Sequence, residues 1–259
     1  MKKHPKKLKL RGFNNLTKSL SFNIYDVCYA KSRADRKEYL AYLDEAYNST
    51  RLETILRGVA TRIGATILHV SSQDYDPLGA SVTVLIAEGP LKQQTARRAV
   101  SLAHLDKSHL CAHTYPETDK RSGISTFRVD IDIATCGRIS PLRALNYLIR
   151  ALESEVVQLD YRVRGFTRTV RGKKLFIDHK IRTIQQFIAT KIKKGYHRVD
   201  LNLAQENIFH TKMVLRDFQL NHYLFGTTAK ELDHGQRRKV KASLKREMAD
   251  LFYAKTLLR

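Results

Sequence analysis

The densest cluster of chemically reactive side chains in this chain lies in the segment HLDKSHLCAHTYPE, residues 104–117. Three histidines, a serine and a cysteine fall within these fourteen residues. Imidazole and thiolate groups bind metal ions, and a hydroxyl or thiol beside a histidine can act as a nucleophile. The segment is therefore the first candidate for a functional site.

A metal centre is one interpretation of this cluster. His109 and His113 are four residues apart, and Cys111 and Cys136 could add thiolate ligands. However, the chain contains neither a CxxC pair nor an HExxH motif, so no recognised ligand spacing is completed. A structural zinc site is the weaker interpretation, and the residues alone assign no metal ligands.

A nucleophilic enzyme is the other interpretation. Ser108 with His113 could form part of a hydrolase site, but no GxSxG turn surrounds the serine, and Lys107 has no role in that scheme. Cys136 could be a thiol nucleophile, although its surroundings, DIATCGRISP, match no thiol-protease signature. From the residues alone, both possibilities stay open.

The clearest structural element is a strand over residues 123–137, GISTFRVDIDIATCG. Apolar residues alternate with charged ones from Phe127 to Ile133, which is the period of a half-buried strand. Continuing that period places Cys136 on the polar side, at the strand end before Gly137. We therefore expect its thiol to point away from the core.

The other predicted elements alternate pairs of strands with helices. The first helix, TRLETILRGVATRIG, has Thr50 and Glu53 at capping-box spacing and Gly64 as its stop. A second helix follows Ser140 as N-cap and Pro141 at its first position. The remaining predictions are strands at 65–70, 80–87 and 156–170, and helices at 176–192 and 236–257.

This order predicts an α+β fold, an α/β sandwich with an antiparallel or mixed sheet and helices packed on one face. We see no internal boundary and expect a single domain over residues 1–259.

The composition narrows the class of protein. The net charge of +22 is typical of proteins with nucleic acid, anionic membrane or acidic partners. The nearest RNA-binding candidate, RGFTRTVRGKK, lacks the aromatic pattern of an RNA-recognition motif. No apolar run suits a secretion signal or a membrane span, and three cysteines fit a reducing compartment. We expect a soluble cytoplasmic protein without a membrane or nucleic-acid partner.

The segment HLDKSHLCAHTYPE resembles the self-cleavage segment of the bacterial S-adenosylmethionine decarboxylases, which are pyruvoyl enzymes of polyamine synthesis. The resemblance to the longer bacterial form continues over nearly the whole chain, apart from residues 91–100 and the more charged C-terminal third. It rests on KLKLRGFNNLTKSLSFNIYDVCYA, QDYDPLGASVTVLI, FRVDIDIATCGRISPLRALNYLI, DYRVRGFTR, FIDHKI and QENIFHTKM.

The resemblance implies a proenzyme that cuts itself between Lys107 and Ser108. Ser108 attacks the carbonyl carbon of Lys107 and forms an ester, and His113 is the proton acceptor that promotes elimination. The dehydroalanine left at position 108 takes up water, loses ammonia and becomes a pyruvoyl group. The products are a β chain of residues 1–107 and an α chain of residues 108–259.

The resemblance also implies the reaction. The pyruvoyl group from Ser108 forms a Schiff base with S-adenosyl-L-methionine and accepts electrons when CO₂ leaves, as pyridoxal phosphate does. Cys136 is the proton donor, which suits a thiol with a usual pKa of about 8.5. Glu117 stands where the family places a carboxylate on the ribose hydroxyls. The product is the aminopropyl donor for spermidine, and Mg²⁺ activation and an oligomer of αβ units are further expectations.

Two features depart from the family and leave alternatives open. Residues 89–103, GPLKQQTARRAVSLA, do not follow its pattern, so the same chemistry on ornithine or arginine is one alternative. The net charge of +22 is unusual for an enzyme whose substrate is a sulfonium cation. It motivates the other alternative, which is a catalytically inactive RNA-binding protein. A local acidic patch would offset this charge.

Overall fold

An antiparallel sheet organises the residues that the computed structural model describes, which are 14–88, 108–169 and 171–256. The sheet has nine strands in the order β2-β3-β4-β5-β1-β6-β9-β8, with β7 paired to β6. The strands are β1 Asn14–Tyr29, β2 Ala65–Asp74, β3 Ala80–Glu88, β4 His109–Thr118, β5 Ile124–Cys136, β6 Val156–Arg168, β7 Lys174–Leu175, β8 Tyr196–Asp200 and β9 Ile208–Leu215.

Five α-helices accompany the sheet in the described residues: α1 Arg33–Ala46, α2 Ser49–Ile63, α3 Leu145–Leu152, α4 Thr190–Gly195 and α5 His234–Tyr253. The start of α2 corrects the predicted capping box. Asn48 is the N-cap, and its side chain accepts a hydrogen bond from the Arg51 N–H. Glu53 instead pairs with Arg57 one turn later, while Gly64 ends the helix in the left-handed conformation as predicted.

The inner face of the sheet is apolar and carries the main core. In β1 and β5 every second residue is buried, as in Leu20, Phe22 and Ile131, because successive side chains of a strand point to opposite faces. The buried stripe of α2, which includes Leu52 and Leu56, packs on this face with residues of α1 and α3. The predicted α+β class with an antiparallel sheet is thus confirmed, with α1 to α3 on one face.

Helix α5 packs on the opposite, outer face. Its buried residues Val240, Leu244, Met248 and Phe252 form a second cluster with Val27, Ile124, Val156 and Tyr223. Val27 and Cys28 are successive residues of β1, so their side chains point to opposite faces of the sheet. Because Cys28 belongs to the main core and Val27 to the second cluster, the two clusters lie on opposite faces. The Gln158 side chain also donates a hydrogen bond to the Leu251 carbonyl at 2.8 Å. This helix covers one end of the outer face only.

The helix predicted at 176–192 was wrong. That segment contains a 3-10 turn at Ile184–Phe187 and then the short α4. Its backbone is held by tertiary hydrogen bonds instead, since the Asn146 side chain binds the Phe187 carbonyl and the Ala189 N–H. The predicted helix at 236–257 is confirmed in type as α5. The segment 89–103 and Lys107 lie outside the described residues.

Candidate active site

Ser108 and Cys136 meet at one end of the sheet. Strands β4 and β5 pair antiparallel with His109 opposite Ala134, so the residue before β4 lies where β5 ends. The Cys136 N–H donates a hydrogen bond to Ser108 Oγ at 3.1 Å, and the Ser108 carbonyl accepts one from the Ile86 N–H at 3.2 Å. The serine is buried, with 3% of its surface exposed. Its hydroxyl is therefore held in a defined orientation.

The Cys136 side chain lies on the outer face of the sheet, on the same parity as Asp130 and Asp132. It is partly exposed, as the alternation in β5 predicted. The next residue, Gly137, has a φ of +67° and donates its N–H to the Leu16 carbonyl at 3.0 Å. The thiol thus stands at a sharp turn, in the residue whose backbone N–H contacts the serine.

Glu88 contacts this turn and was not singled out from the sequence. Its Oε1 accepts a hydrogen bond from the Arg138 N–H at 2.9 Å. A Cβ at Gly137 would overlap the same carboxylate, so the turn and Glu88 fit together only because residue 137 is glycine. In the sequence, Glu88 directly follows the apolar run of β3 and indicates only the end of a strand. No local pattern marks it as part of a site.

Lys18 supports the same turn from the inner face. It is 1% exposed, and its ammonium group donates to the Gly137 carbonyl at 3.0 Å and to Asp178 Oδ2 at 2.6 Å. A buried ammonium is tolerated only with such partners. In the sequence, Lys18 occupies a position between Leu16 and Leu20 where the alternation of β1 calls for an apolar residue. This lysine was not singled out from the sequence.

The Lys18 contact continues into a short polar chain. Asp178 Oδ1 lies 2.7 Å from His179 Nδ1, and His179 Nε2 lies 3.3 Å from the Tyr161 hydroxyl. Desolvation acts to raise the pKa of Asp178, but hydrogen bonds from His179 and Lys18 and the charge of Lys18 outweigh it and lower that pKa. The carboxylate therefore stays ionised as the partner of the buried lysine.

His113 is not brought to Ser108 within this chain. It lies on the outer face of β4, between Ser81 of β3 and Asp130 of β5. It follows Ser108 by five residues, which in an extended strand is roughly 17 Å. Burial raises the pKa of Asp130, while the charges of Arg128 and His113 act in the opposite direction. His113 and Cys136 share a face but stand apart along it.

Glu117 lies still further along β4, opposite Thr126 and close to α5. The Thr126 hydroxyl donates to Glu247 of that helix at 3.2 Å. Burial raises the pKa of Glu117, and the nearby Glu247 and Asp119 charges raise it further. Within one chain this carboxyl group does not reach Ser108.

The middle of the outer face is polar, and some of its buried polar atoms lack a hydrogen-bond partner among the described residues. Three of its buried atoms have no hydrogen-bond partner among the described residues: Asn23 Oδ1, Arg128 Nε and Asp130 Oδ1. Buried polar atoms without partners are costly. This face therefore has the character of a surface that contacts another molecule.

In the described parts of the chain, no three His, Cys, Asp or Glu side chains gather in a way that could hold a metal ion. His109, His113, Cys111 and Cys136 thus form no ligand set there, and no residues are assigned to the expected Mg²⁺. No helix in the same residues has the length and apolar character needed to cross a membrane.

Comparison with known proteins identifies the family of the chain. The family model described as S-adenosylmethionine decarboxylase matches residues 39–165. A protein of Stenotrophomonas maltophilia (strain R551-3), named S-adenosylmethionine decarboxylase proenzyme, is 59% identical over 256 residues, covering 97% of each chain. Proteins of the same name from Xanthomonas oryzae pv. oryzae (strain PXO99A) and Xylella fastidiosa (strain M12) are 57% identical with the same coverage. The chain belongs to the S-adenosylmethionine decarboxylase family.

Proposed function

We propose that this protein is a self-processing pyruvoyl enzyme that decarboxylates S-adenosyl-L-methionine to S-adenosyl-methylthiopropylamine, the aminopropyl donor for spermidine synthesis. The observation that carries the proposal is the contact of Ser108 Oγ with the Cys136 N–H, in a chain that is 59% identical to a named proenzyme of this activity.

Cleavage begins at Ser108. Its Oγ attacks the carbonyl carbon of Lys107, the amide bond between the two residues breaks, and an ester forms. The Cys136 N–H, which contacts Oγ, stabilises the negative charge that Oγ carries on deprotonation, before it bonds to the carbonyl carbon. The proton passes to the Ser108 nitrogen as the amide bond breaks. Loss of the Ser108 α-proton then expels the Lys107 carboxylate, which releases a β chain of residues 1–107 and leaves dehydroalanine at the start of an α chain of residues 108–259. The imine form of this dehydroalanine takes up water and releases ammonia, which gives the pyruvoyl group.

The position of Ser108 fits a pyruvoyl group. Such a group supplies a ketone conjugated to an amide carbonyl, which accepts electron density when a carboxylate leaves as CO₂. The Ile86 N–H fixes the backbone carbonyl of residue 108, and the Cys136 N–H contacts its side-chain oxygen. We propose the Cys136 thiol as the donor that returns a proton to the substrate α-carbon.

His113 as proton acceptor in processing and Glu117 as ribose ligand are part of the proposal. Their separation from Ser108 favours a site completed between two αβ units whose outer faces pack together. The unpartnered polar atoms of Asn23, Arg128 and Asp130 on this face support such an oligomer. The carboxylates there, including Asp132 and Glu117, provide the local negative charge that a sulfonium substrate requires.

Intact-mass measurement of the protein after native expression tests the proposal. We expect two chains divided between Lys107 and Ser108, with no free amino group at the start of the α chain. The Ser108→Ala variant should remain a single chain. A single uncut wild-type chain would overturn the proposal.

A substrate assay separates the related possibilities. Release of CO₂ from S-adenosyl-L-methionine supports the proposal, whereas release only from ornithine or arginine contradicts the substrate assignment. Addition and chelation of Mg²⁺ in the same assay test the proposed activation. We also propose a cytoplasmic location, in keeping with three cysteines that form no disulfide.

A further inference from the structure

A cavity of about 510 Å³ lies at the opposite end of the sheet from Ser108. Its lining includes Asp26, near the end of β1, and Glu155, directly before β6. Thr17 of β1 pairs with Cys136, and Asp26 follows nine residues later, roughly 30 Å along an extended strand. The cavity is on the inner face, beside α1 and α3. It is separate from the proposed active site, and the inference below does not depend on that site.

The inner wall of the cavity holds two neighbouring carboxyl groups. Asp26 Oδ1 accepts a hydrogen bond from the Glu155 N–H at 3.3 Å, and Asp26 Oδ2 accepts one from the Tyr47 hydroxyl at 3.2 Å. Glu155 Oε2 accepts from the Val27 N–H at 3.2 Å. Among the described residues, no lysine or arginine forms an ion pair with either carboxyl group. Burial and then the mutual repulsion of the pair raise the pKa of Glu155 to about 10. The wall therefore lacks a compensating cation, and an ammonium group that binds there takes the place of the proton that Glu155 otherwise holds.

The Tyr39 hydroxyl is a second, independent sign of a ligand. The side chain is 3% exposed and lines the cavity, yet its hydroxyl has no oxygen or nitrogen partner in the described residues. Its polar neighbour is the Cys28 thiol, which is a weak hydrogen-bond partner. Buried tyrosine hydroxyls usually find a partner, so this one is available to a bound molecule.

Aromatic rings complete the inner part of the cavity. The Phe225 ring lies 5.1 Å from the Tyr39 ring and 5.6 Å from the Tyr42 ring, centroid to centroid. All three line the cavity together with Tyr47. Carboxylates combined with aromatic faces are the groups that recognise organic ammonium ions.

The outer part of the cavity has the opposite charge. The exposed residues of its lining are Arg51, Arg150, Glu153 and His222. With the histidine neutral, the two arginines and one glutamate give this part a net positive charge. The Arg51 guanidinium also lies near the end of α3, where it donates to the Ala151 carbonyl at 3.4 Å. A ligand whose inner end is an ammonium group therefore meets guanidinium groups at its outer end. A diamine would place its second cation there and be repelled.

We propose that this cavity binds a small amino-carboxylate zwitterion, with its ammonium group against Asp26 and Glu155 and its carboxylate toward Arg51 and Arg150. The volume is in the range of small-molecule sites. Because the cavity lies far from Ser108, the ligand is not the decarboxylation substrate.

Isothermal titration calorimetry of the purified protein tests the proposal. The probes are straight-chain ω-amino carboxylates from β-alanine to 6-aminohexanoate, each compared with the monoamine and the diamine of the same chain length. We expect at least one zwitterion to bind about tenfold or more tightly than its matched amines, a difference of about 1.4 kcal/mol. Failure of every zwitterion to bind at millimolar concentration, or tighter binding of the diamines, would overturn the proposal.

Variants locate the binding. Glu155→Gln keeps the side-chain shape and should abolish the preferred zwitterion's binding. Arg150→Gln, at an exposed position, should remove the preference for the zwitterion over the monoamine. Asp160→Asn is the matched control, since this carboxyl group belongs to β6, the strand that follows Glu155, but lies on the outer face. Zwitterion binding by this variant should equal that of the wild type. Unchanged binding in Glu155→Gln would contradict the assigned site.

Discussion

At the scale of single residues, the proposed chemistry depends on two atoms of Cys136 with different roles. Its backbone N–H contacts Ser108 Oγ, and its side chain faces the open side of the sheet. A backbone N–H survives any substitution except proline, so cleavage and decarboxylation can be separated by changing the side chain alone.

We therefore predict that Cys136→Ala still cleaves into two chains but loses about 10²–10⁴-fold in decarboxylation rate, the usual loss for a missing general acid. Intact mass and CO₂ release measure the two steps. Cys111→Ala is the control, because this thiol also lies on the outer face, between β3 and β5, but away from Ser108. Loss of cleavage in Cys136→Ala with cleavage retained in the control would contradict this division of roles.

Lys18 acts on the site through the backbone of Gly137. Replacing it with methionine leaves Asp178 with His179 but without its lysine partner, and leaves the Gly137 carbonyl without its donor. We expect Lys18→Met to lower the free energy of unfolding by about 1–3 kcal/mol, the usual cost of leaving a buried polar group without its hydrogen bond.

The same variant should also cleave more slowly when only the folded fraction is counted. Chemical denaturation and a cleavage time course measure the two effects. Lys180→Met, at an exposed position close to Asp178, should change neither. A wild-type cleavage rate in folded Lys18→Met would limit Lys18 to stability.

At the scale of elements, the active-site end is built by the registers of β3, β4 and β5. The pairing of β4 with β5 brings Ser108 to Cys136, and the Ile86 to Ser108 hydrogen bond brings Glu88 of β3 beside the turn. Gly137 permits these three strand ends to meet, because a side chain there would occupy the space of the Glu88 carboxylate.

We predict that Gly137→Ala lowers stability by about 1–3 kcal/mol, from left-handed backbone strain and the clash with Glu88, and slows cleavage. Gly172→Ala is a matched control, since Gly172 has a φ of +80° but no atom within 4 Å of the place that an alanine Cβ would occupy. The control should show the backbone cost alone and cleave normally. Equal effects in both variants would show that the Glu88 contact is unimportant.

At the scale of the whole molecule, the polar active-site end and the acidic cavity lie at opposite ends of the long strand β1. The buried carboxyl pair at the cavity end links the stability of the fold to pH. The pKa of Glu155 in the folded protein, about 10, lies well above its ordinary value, and burial also raises the pKa of Asp26. The folded state therefore holds protons that the unfolded chain releases.

It follows that the contribution of this pair to stability is fully present below the ordinary carboxyl pKa, and is lost as pH rises toward about 10. We predict that, as pH rises from about 5 to about 9, the free energy of unfolding falls less in Glu155→Gln than in the parent protein. Urea unfolding in a Ser108→Ala background, which keeps the chain uncut, measures this. A pH dependence equal to that of the parent would contradict the assignment.

Much of the fold could be predicted from local patterns. Alternation in β5 correctly predicted both the strand and the outward position of Cys136, and the apolar stripe with Gly64 predicted α2. The pattern failed at 176–192, where apolar spacing suggested a helix but side chains of Asp178, His179 and Thr183 bind distant partners. Hydrogen bonds to residues far along the chain leave no local period.

The sequence by itself predicted the chemistry of this protein, since the residue types and order of HLDKSHLCAHTYPE resemble the family's cleavage segment. Only the tertiary structure decided which of those residues meet. It joined Ser108 to Cys136, added Lys18 and Glu88, and left His113 and Glu117 further along the outer face. The physical reason is that strand register, together with buried pairs such as Lys18 with Asp178, is set by contacts between residues that are distant in the chain.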